Sequence, residues 1–333
     1  MWWSATRGPP SNLRPEPTRD HQPVITWIIG QGGLLGSALA RNTTGLYEPG
    51  AIPWHSPEDA ATTLHAHARG LEAAAQGSPW RVIWAAGAAT TSTTQREAEA
   101  EMIPLQGLLT GLRSALPSGP GAFFLASSAG GVYAGSQHPP FTSTTAPQPL
   151  SPYGELKLAQ ERLSSQSLGQ IIPVTIGRIS NLYGPGQNLD KLQGLISRLA
   201  MAGITRQPIN IFVPLGTIRD YIYADDAAKT ILQLTQDPWQ HDRPQHNQVR
   251  DPRTEIIATG RGTTIGQLIR MMSEVTKRRV PVALGSHPSS AAQAEDLRVV
   301  PTAEPPSITT LPEGVRAVHD DLLTRLRDRP LSK

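Results

Sequence analysis

Cysteine is absent from this sequence of 333 residues. Without thiols the protein has no disulfide bonds, no zinc site built on thiolates and no cysteine nucleophile. Long apolar segments are absent too, since no run approaches the roughly 20 residues that a membrane span needs. These absences predict a cytoplasmic protein with no membrane partner.

The net charge is small as well. Lysine and arginine number 30 and aspartate and glutamate 27, which gives a net charge of +3 with histidine neutral. The tight basic run Lys277-Arg278-Arg279 has no aromatic residues among its cations and does not predict stacking on nucleic-acid bases. His65 and His67 stand two apart on a predicted helix and therefore point to different faces, which disfavours a metal pair. We expect neither a nucleic-acid partner nor a metal.

Short apolar runs that alternate with helical stretches are the main feature of the first half of the chain. Four buried strands are predicted at 24–29, 81–84, 122–126 and 171–176, and a long helix at 95–116. A further strand, second in chain order, is expected to end near 53–55. Strands that alternate with helices predict an α/β fold, a Rossmann-type doubly wound parallel sheet.

The composition divides the chain into three parts. Residues 1–22 are rich in proline and arginine and are expected to form a disordered extension. Residues 23–180 are expected to form a dinucleotide-binding Rossmann domain. Residues 181–330 are expected to form mainly a substrate-binding region with helices near 190–202, 225–235, 265–276 and 313–327, and to return to the sheet around 211–235.

A glycine pattern follows the first predicted strand. Gly30, Gly33 and Gly36 give the spacing G-x-x-G-x-x-G at the start of a helix, where the backbone can approach a pyrophosphate. This pattern predicts a dinucleotide cofactor. An acidic residue about 20 positions after the first glycine would select NAD by binding the ribose hydroxyls. No such residue is found at the expected strand end, so NAD and NADP both stay open.

Tyr153 and Lys157 carry the chemistry that the sequence predicts. Ser151 can cap a helix and Pro152 suits its first turn, so the tyrosine and the lysine, four residues apart, share one helix face. Bringing a tyrosine pKa from about 10 to about 7 requires roughly 4 kcal/mol. A positive charge about 4 Å away supplies about that amount at an effective dielectric of about 20. We therefore predict that Tyr153 is an acid/base whose pKa is lowered by Lys157.

Further motifs occur in a fixed order around this pair: Ala85-Ala86-Gly87, Ser127-Ser128 before Val132-Tyr133, Arg178 to Gln187, and Arg219 to Asp226. With them, residues 24–328 resemble the extended short-chain dehydrogenase/reductase family, in particular its nucleotide-sugar epimerases, dehydratases and reductases. The chain departs from the family pattern where relatives keep a helix asparagine, at Glu101. It also lacks a second phosphate-binding arginine before Asp296.

The resemblance implies roles for individual residues. Tyr153 is the acid/base, Lys157 lowers its pKa and binds the nicotinamide ribose, and Ser128 binds the reacting sugar oxygen, with Ser127 as the alternative. Asn181 and Arg219 contact the sugar diphosphate. The cofactor site comprises Gly30, Gly33, Leu34, Leu35, Gly36, Ala85, Ala86 and Gly87, together with Tyr153 and Lys157.

The function that the resemblance implies is a nucleotide-sugar epimerase that uses NAD and passes through a keto-sugar. An NADPH-dependent nucleotide-sugar ketoreductase is the alternative, and a noncatalytic NAD(P)-binding sensor is a third possibility. Dehydration is disfavoured because Ala129-Gly130 stand where dehydratases carry an acidic pair. A homodimer is also implied by the family.

Overall fold

A five-stranded parallel sheet forms the centre of the computed structural model, which describes residues 23–188, 194–236, 251–285, 294–303 and 305–328. The predicted extension at 1–22 lies outside the described residues. The sheet has the order β1-β2-β3-β4-β8, and every pair of neighbours is parallel. Its strands are β1 (Ile25–Ile29), β2 (Trp80–Trp84), β3 (Gly121–Ser128), β4 (Val174–Ile179) and β8 (Arg253–Ile257).

Helices cover both faces of this sheet. On one face lie α1 (Leu34–Arg41) and α7 (Ala224–Leu234), whose apolar residues pack on Ile28 of β1. On the other face lie α2 (Pro57–Ala75), α3 (Gln95–Ser114) and α5 (Pro152–Leu168), over Trp27 and Ile29. Neighbouring residues of a strand point to opposite faces, so β1 contributes to both cores. The doubly wound fold is confirmed.

A smaller region stands at one end of the sheet. Its strand β7 (Ile218–Tyr223) pairs with β5 (Asn181–Tyr183), β11 (Asp296–Leu297) and, antiparallel, β9 (Gly262–Thr264), while β6 (Ile209–Ile211) pairs with β10 (Val282–Leu284). Helices α6 (Leu195–Thr205), α8 (Ile265–Val275) and α9 (Leu311–Arg327) enclose a core of their own. The short helix α4 (Ala129–Val132) follows β3 directly.

Two expectations about the sheet are corrected. No strand ends at 53–55; the segment that follows α1 contributes only a parallel bridge between Leu46 and Thr26. Pro49 and Pro53 have no N–H to donate, and Gly50 has a φ of 127°, so an extended ladder cannot continue there.

Strand β4 begins at Val174, three residues later than expected. The N–H groups of Ile171 and Ile172 instead donate to the Leu168 carbonyl in the turn after α5, and Pro173 has no N–H. Part of the range 211–235, helix α7, packs on the large sheet, and the same range supplies β7 of the small sheet. The fifth strand of the large sheet is β8, which the sequence did not predict.

Candidate active site

The turn between β1 and α1 requires its glycines. Gly30 has a φ of 97°, and a Cβ there would lie 2.7 Å from the backbone nitrogen of Ala86. A Cβ on Gly36 would collide with the carbonyl oxygen of Gly30. Gly32, in contrast, faces open space with nothing within 4 Å of such an atom. The turn therefore packs tightly against the end of β2 and leaves its outer surface open.

The N-terminus of α1 is suited to an anion. Its N-cap is Gly33, with no side-chain hydrogen bond to the helix and no acidic residue in the first turn. By comparison, Ser56, Thr94 and Ser151 cap α2, α3 and α5 with their side chains. The free N–H groups and the positive end of the helix dipole would bind a pyrophosphate. These residues fit a dinucleotide.

Helix α5 places the tyrosine and the lysine on one face. Ser151 accepts a hydrogen bond from the Gly154 N–H at 3.3 Å and caps the helix. The Lys157 Nζ lies 5.9 Å from the centre of the Tyr153 ring. The ammonium donates to Gln160 Oε1 at 3.0 Å and to the Ala126 carbonyl at 3.5 Å, so it is fixed by both its own helix and β3.

The two serines at the end of β3 point in different directions. Ser128 lies near enough to the Tyr153 phenol to lower its pKa, and it accepts a hydrogen bond from the Gly131 N–H, which caps α4. Ser127 donates to Glu161 at 2.5 Å. The structure therefore brings Ser128, and not Ser127, to the Tyr153 phenol.

Glu161 belongs to a buried network below the cleft. Its carboxylate pairs with Arg178, with an N–O distance of 2.7 Å, and both side chains are more than 90% buried. Arg178 also donates to the Tyr133 hydroxyl at 2.7 Å, and Tyr133 donates in turn to the Thr142 carbonyl. This network ties α5 and β4 to the loop after β3.

Burial changes the pKa values of the central pair. It raises the pKa of Tyr153, which Ser128 lowers and Glu101 raises further. It lowers the pKa of Lys157, while Glu101 and Glu161 act in the opposite direction. The predicted lowering of the Tyr153 pKa is therefore wrong in sign for this structure, because the prediction counted the lysine charge and omitted desolvation.

A cleft of about 500 Å³ lies over this pair. It brings together the predicted residues Leu35, Ala85, Ala86, Gly87, Ser128, Tyr153, Lys157, Asn181 and Arg219. Gly30, Gly33, Leu34 and Gly36 do not line it, although Gly30 contacts the backbone of Ala85 and Ala86 behind its wall. Parallel strands end at the same edge of a sheet, which explains why motifs distant in sequence meet here.

Asn181 and Arg219 stand on the opposite wall. The Asn181 amide donates to the Asp220 carbonyl at 2.8 Å. Arg219 is 8% exposed, and among the described residues its guanidinium has one hydrogen bond, which it donates to the Ile218 carbonyl. Burial lowers the pKa of Arg219, while Tyr221 and Asp296 raise it. Its guanidinium therefore keeps donors available for an anion in the cleft.

Arg198 is a cleft residue that the motifs did not indicate. It projects from α6 into the cleft that Arg219 lines. Within the described ranges, no carboxylate lies within ion-pair distance of Arg198. No sequence signal marks it, since α6 is an amphipathic helix whose arginine would pass as a surface residue.

Glu101 also lines the cleft, and its position was noted in the sequence without a role.

The sequence matches the NAD dependent epimerase/dehydratase family over residues 26–249. The chain belongs to this family. The predicted family and enzyme class are thereby confirmed, and an NAD-type cofactor agrees with them.

Individual relatives match this epimerase/dehydratase-family chain over shorter segments. A dTDP-L-rhamnose 4-epimerase of Burkholderia thailandensis is 36% identical over 90 residues, 26% of this chain and 25% of the relative. A dTDP-4-dehydro-6-deoxyglucose reductase of Escherichia coli is 34% identical over 111 residues, 32% of this chain and 34% of the relative. The matched segments thus span a quarter to a third of these proteins' lengths.

The fold is similar over nearly the whole chain. The structure of MoeE5 in complex with UDP-glucose and NAD has a TM-score of 0.72 and 21% identity, covering 90% of this chain and 99% of that one. None of the helices that the structure describes combines the length and the hydropathy of a membrane span.

Proposed function

We propose that this chain is a nucleotide-sugar epimerase that uses NAD(P) and acts through a keto-sugar, with Tyr153 as acid/base. The observation that carries the proposal is the meeting of Ser128, Tyr153 and Lys157 in one cleft with Arg219. The free helix end at α1 supports a dinucleotide beside them. MoeE5, with the same fold, binds both UDP-glucose and NAD.

The residues would divide the reaction as follows. A bound nicotinamide cofactor would supply the acceptor and later the donor of a hydride. Tyr153 would remove the proton of the sugar hydroxyl, leaving a ketone when the carbon loses its hydride. Ser128 would donate a hydrogen bond to the reacting oxygen, and Lys157 would stabilise the phenolate. If the keto-sugar then presents its other face to the returning hydride, Tyr153 gives the proton back and the centre is inverted without net oxidation.

The other wall of the cleft suits the diphosphate of the substrate. Arg219 and Arg198 both face the cleft, and guanidinium groups bind phosphate oxygens through paired hydrogen bonds. Arg198 would supply the second cation that the segment before Asp296 lacks. Asn181 would donate its second amide N–H to a phosphate oxygen, because the first already donates to the Asp220 carbonyl.

A specific observation also favours the ketoreductase. Burial raises the pKa of Tyr153 and so favours the protonated phenol, the form that gives a proton to a ketone. A ketoreductase starts from this form, whereas an epimerase uses both forms in turn. The segmental match to a dTDP-4-dehydro-6-deoxyglucose reductase supports the same alternative.

The nucleotide that the purified protein carries separates these functions. We would purify it without added cofactor, denature it and identify released nicotinamide nucleotides by mass spectrometry. Tightly held NAD supports the epimerase, which recycles its cofactor in each turnover. An empty site that prefers NADPH supports the reductase.

Substrate turnover completes the test. UDP- and dTDP-hexoses would be incubated with the protein and product stereochemistry followed by NMR. A new epimer formed without added reductant supports the epimerase. Consumption of NADPH with keto-sugars, and no epimer from any hexose, would replace it with the reductase.

A further inference from the structure

Glu101 spans the gap between α3 and the loop that follows β2. Its carboxylate accepts hydrogen bonds from two consecutive backbone N–H groups, Ala88 at 2.6 Å and Ala89 at 2.9 Å. The same loop begins with Ala85, Ala86 and Gly87, which line the cleft. Glu101, itself a lining residue, thus holds the neighbouring loop of the cleft wall in place.

The same carboxylate stands close to the catalytic helix. A Cβ on Gly87 would lie 3.1 Å from Glu101 Oε1 and 3.7 Å from Lys157 Nζ, so the two charged groups flank this glycine. Lys157 donates its hydrogen bonds elsewhere, to Gln160 and the Ala126 carbonyl. Glu101 therefore acts on the lysine through its charge and not through a direct hydrogen bond.

We propose that Glu101 is a positioning residue of this active site, which anchors the loop at 87–89 and places a negative charge beside Lys157 and Tyr153. The catalytic meaning of that charge rests on the proposed function. The anchoring and the charge do not depend on it, and they can be measured without any substrate.

The charges around Glu101 are few. Helix α5 presents Tyr153, Lys157 and Glu161 to this side of the cleft, and Glu161 is already paired with Arg178 of β4. Strand β3 presents the neutral Ser128. Glu101 favours the protonated forms of both Tyr153 and Lys157, in addition to the effect of burial. Removing its charge should therefore lower the pKa of each group.

The titration of Lys157 tests the charge. The chain has only five lysines, so protein labelled with ¹³C on lysine gives few Cε signals, and Lys157→Arg assigns the one of interest. We expect Glu101→Gln to move its midpoint down by at least about half a pH unit, since a unit charge within about 7 Å contributes nearly one unit at an effective dielectric of about 40. The matched control is Glu99→Gln on the same helix, whose exposed carboxylate contacts Gln95.

The loop tests the anchoring separately. Glu101→Asp keeps the charge but is one carbon too short to reach both amides, so hydrogen exchange at Ala88 and Ala89 should become faster while the Lys157 midpoint stays near that of the wild type. This variant also covers the case in which Glu101→Gln does not fold.

An unchanged midpoint in folded Glu101→Gln would overturn the charge, and unchanged amide exchange in Glu101→Asp would overturn the anchor. Loss of turnover with neither change would leave Glu101 no positioning role. A protein without epimerase or reductase activity could still show both effects, so failure of this proposal is distinguishable from failure of the proposed function.

Discussion

At the scale of single residues, adjacent side chains in this site have different tasks. Ser128 and Ser127 follow each other at the end of β3, yet one contacts Tyr153 and the other contacts Glu161. Alternation along a strand produces this separation. Alanine variants of the two serines should therefore have different effects, one on turnover and the other on stability.

Ser128→Ala should lower turnover and leave stability nearly unchanged, because Ser128 serves the phenol. Ser127→Ala should lower the free energy of unfolding by about 1–2 kcal/mol, since a buried carboxylate loses a hydrogen bond. Steady-state kinetics and urea unfolding would measure the two effects. Equal losses of turnover in both variants would contradict the division of roles.

Tyr153→Phe should reduce kcat by about 10²- to 10⁴-fold, the usual contribution of an acid/base group, while cofactor binding is retained. In the oxidising direction Tyr153 must be deprotonated, so the rate should rise with pH. Burial raises the pKa of Tyr153 and places that rise on the alkaline side. Tyr47→Phe is the control, because Tyr47 donates to the His67 carbonyl and does not line the cleft. Retention of most activity in Tyr153→Phe would exclude the role.

Residue spacing predicted which side chains lie together better than it predicted their pKa shifts. Four residues along a helix place Tyr153 and Lys157 together in any fold, so their proximity was readable from the sequence. The sign of the Tyr153 pKa shift was not, because desolvation depends on what the rest of the chain packs over the phenol. The position of Arg198 in the cleft could not be predicted either, because it too depends on how distant parts of the chain pack together.

At the scale of elements, the turn between β1 and α1 is set by close backbone approach. Gly36→Ala should destabilise the protein by about 1–3 kcal/mol and abolish nucleotide binding, since its Cβ collides with the Gly30 carbonyl. Gly32→Ala, in the same turn, meets open space and should keep the wild-type stability. Thermal unfolding and NAD(H) fluorescence titration would compare them. Equal stability of the two variants would show that the turn tolerates the added methyl group.

Apolar runs predicted the elements where local signals agree with the fold. The strand at β1 and the helix at α3 were placed within two residues. The expected strand at 53–55 failed because prolines and a left-handed glycine interrupt its hydrogen bonds. The return of β8 to the sheet was also missed, since pairing between strands distant in sequence leaves no local pattern.

At the scale of the whole molecule, the cleft lies between two cores. Helix α5, packed on the large sheet, supplies Tyr153 and Lys157, and the small region supplies Arg219 and Arg198. The acid/base pair and the two arginines thus lie in different parts of the fold. A ligand with a diphosphate at one end and a hydroxyl at the other would span both.

This arrangement predicts that nucleotide binding depends on the charge of α6. Arg198→Gln should weaken UDP binding by about tenfold, the loss expected for about one charge-assisted hydrogen bond. Arg270→Gln on the neighbouring helix α8 is the matched control, because Arg270 is exposed and lies outside the cleft. Calorimetric titration with UDP at two salt concentrations would measure both variants.

The wild type should lose affinity with salt more steeply than Arg198→Gln, since a cation that contacts phosphate is screened by added ions. Equal affinities in Arg198→Gln and Arg270→Gln would place the diphosphate away from α6 and leave Arg219 as its cation.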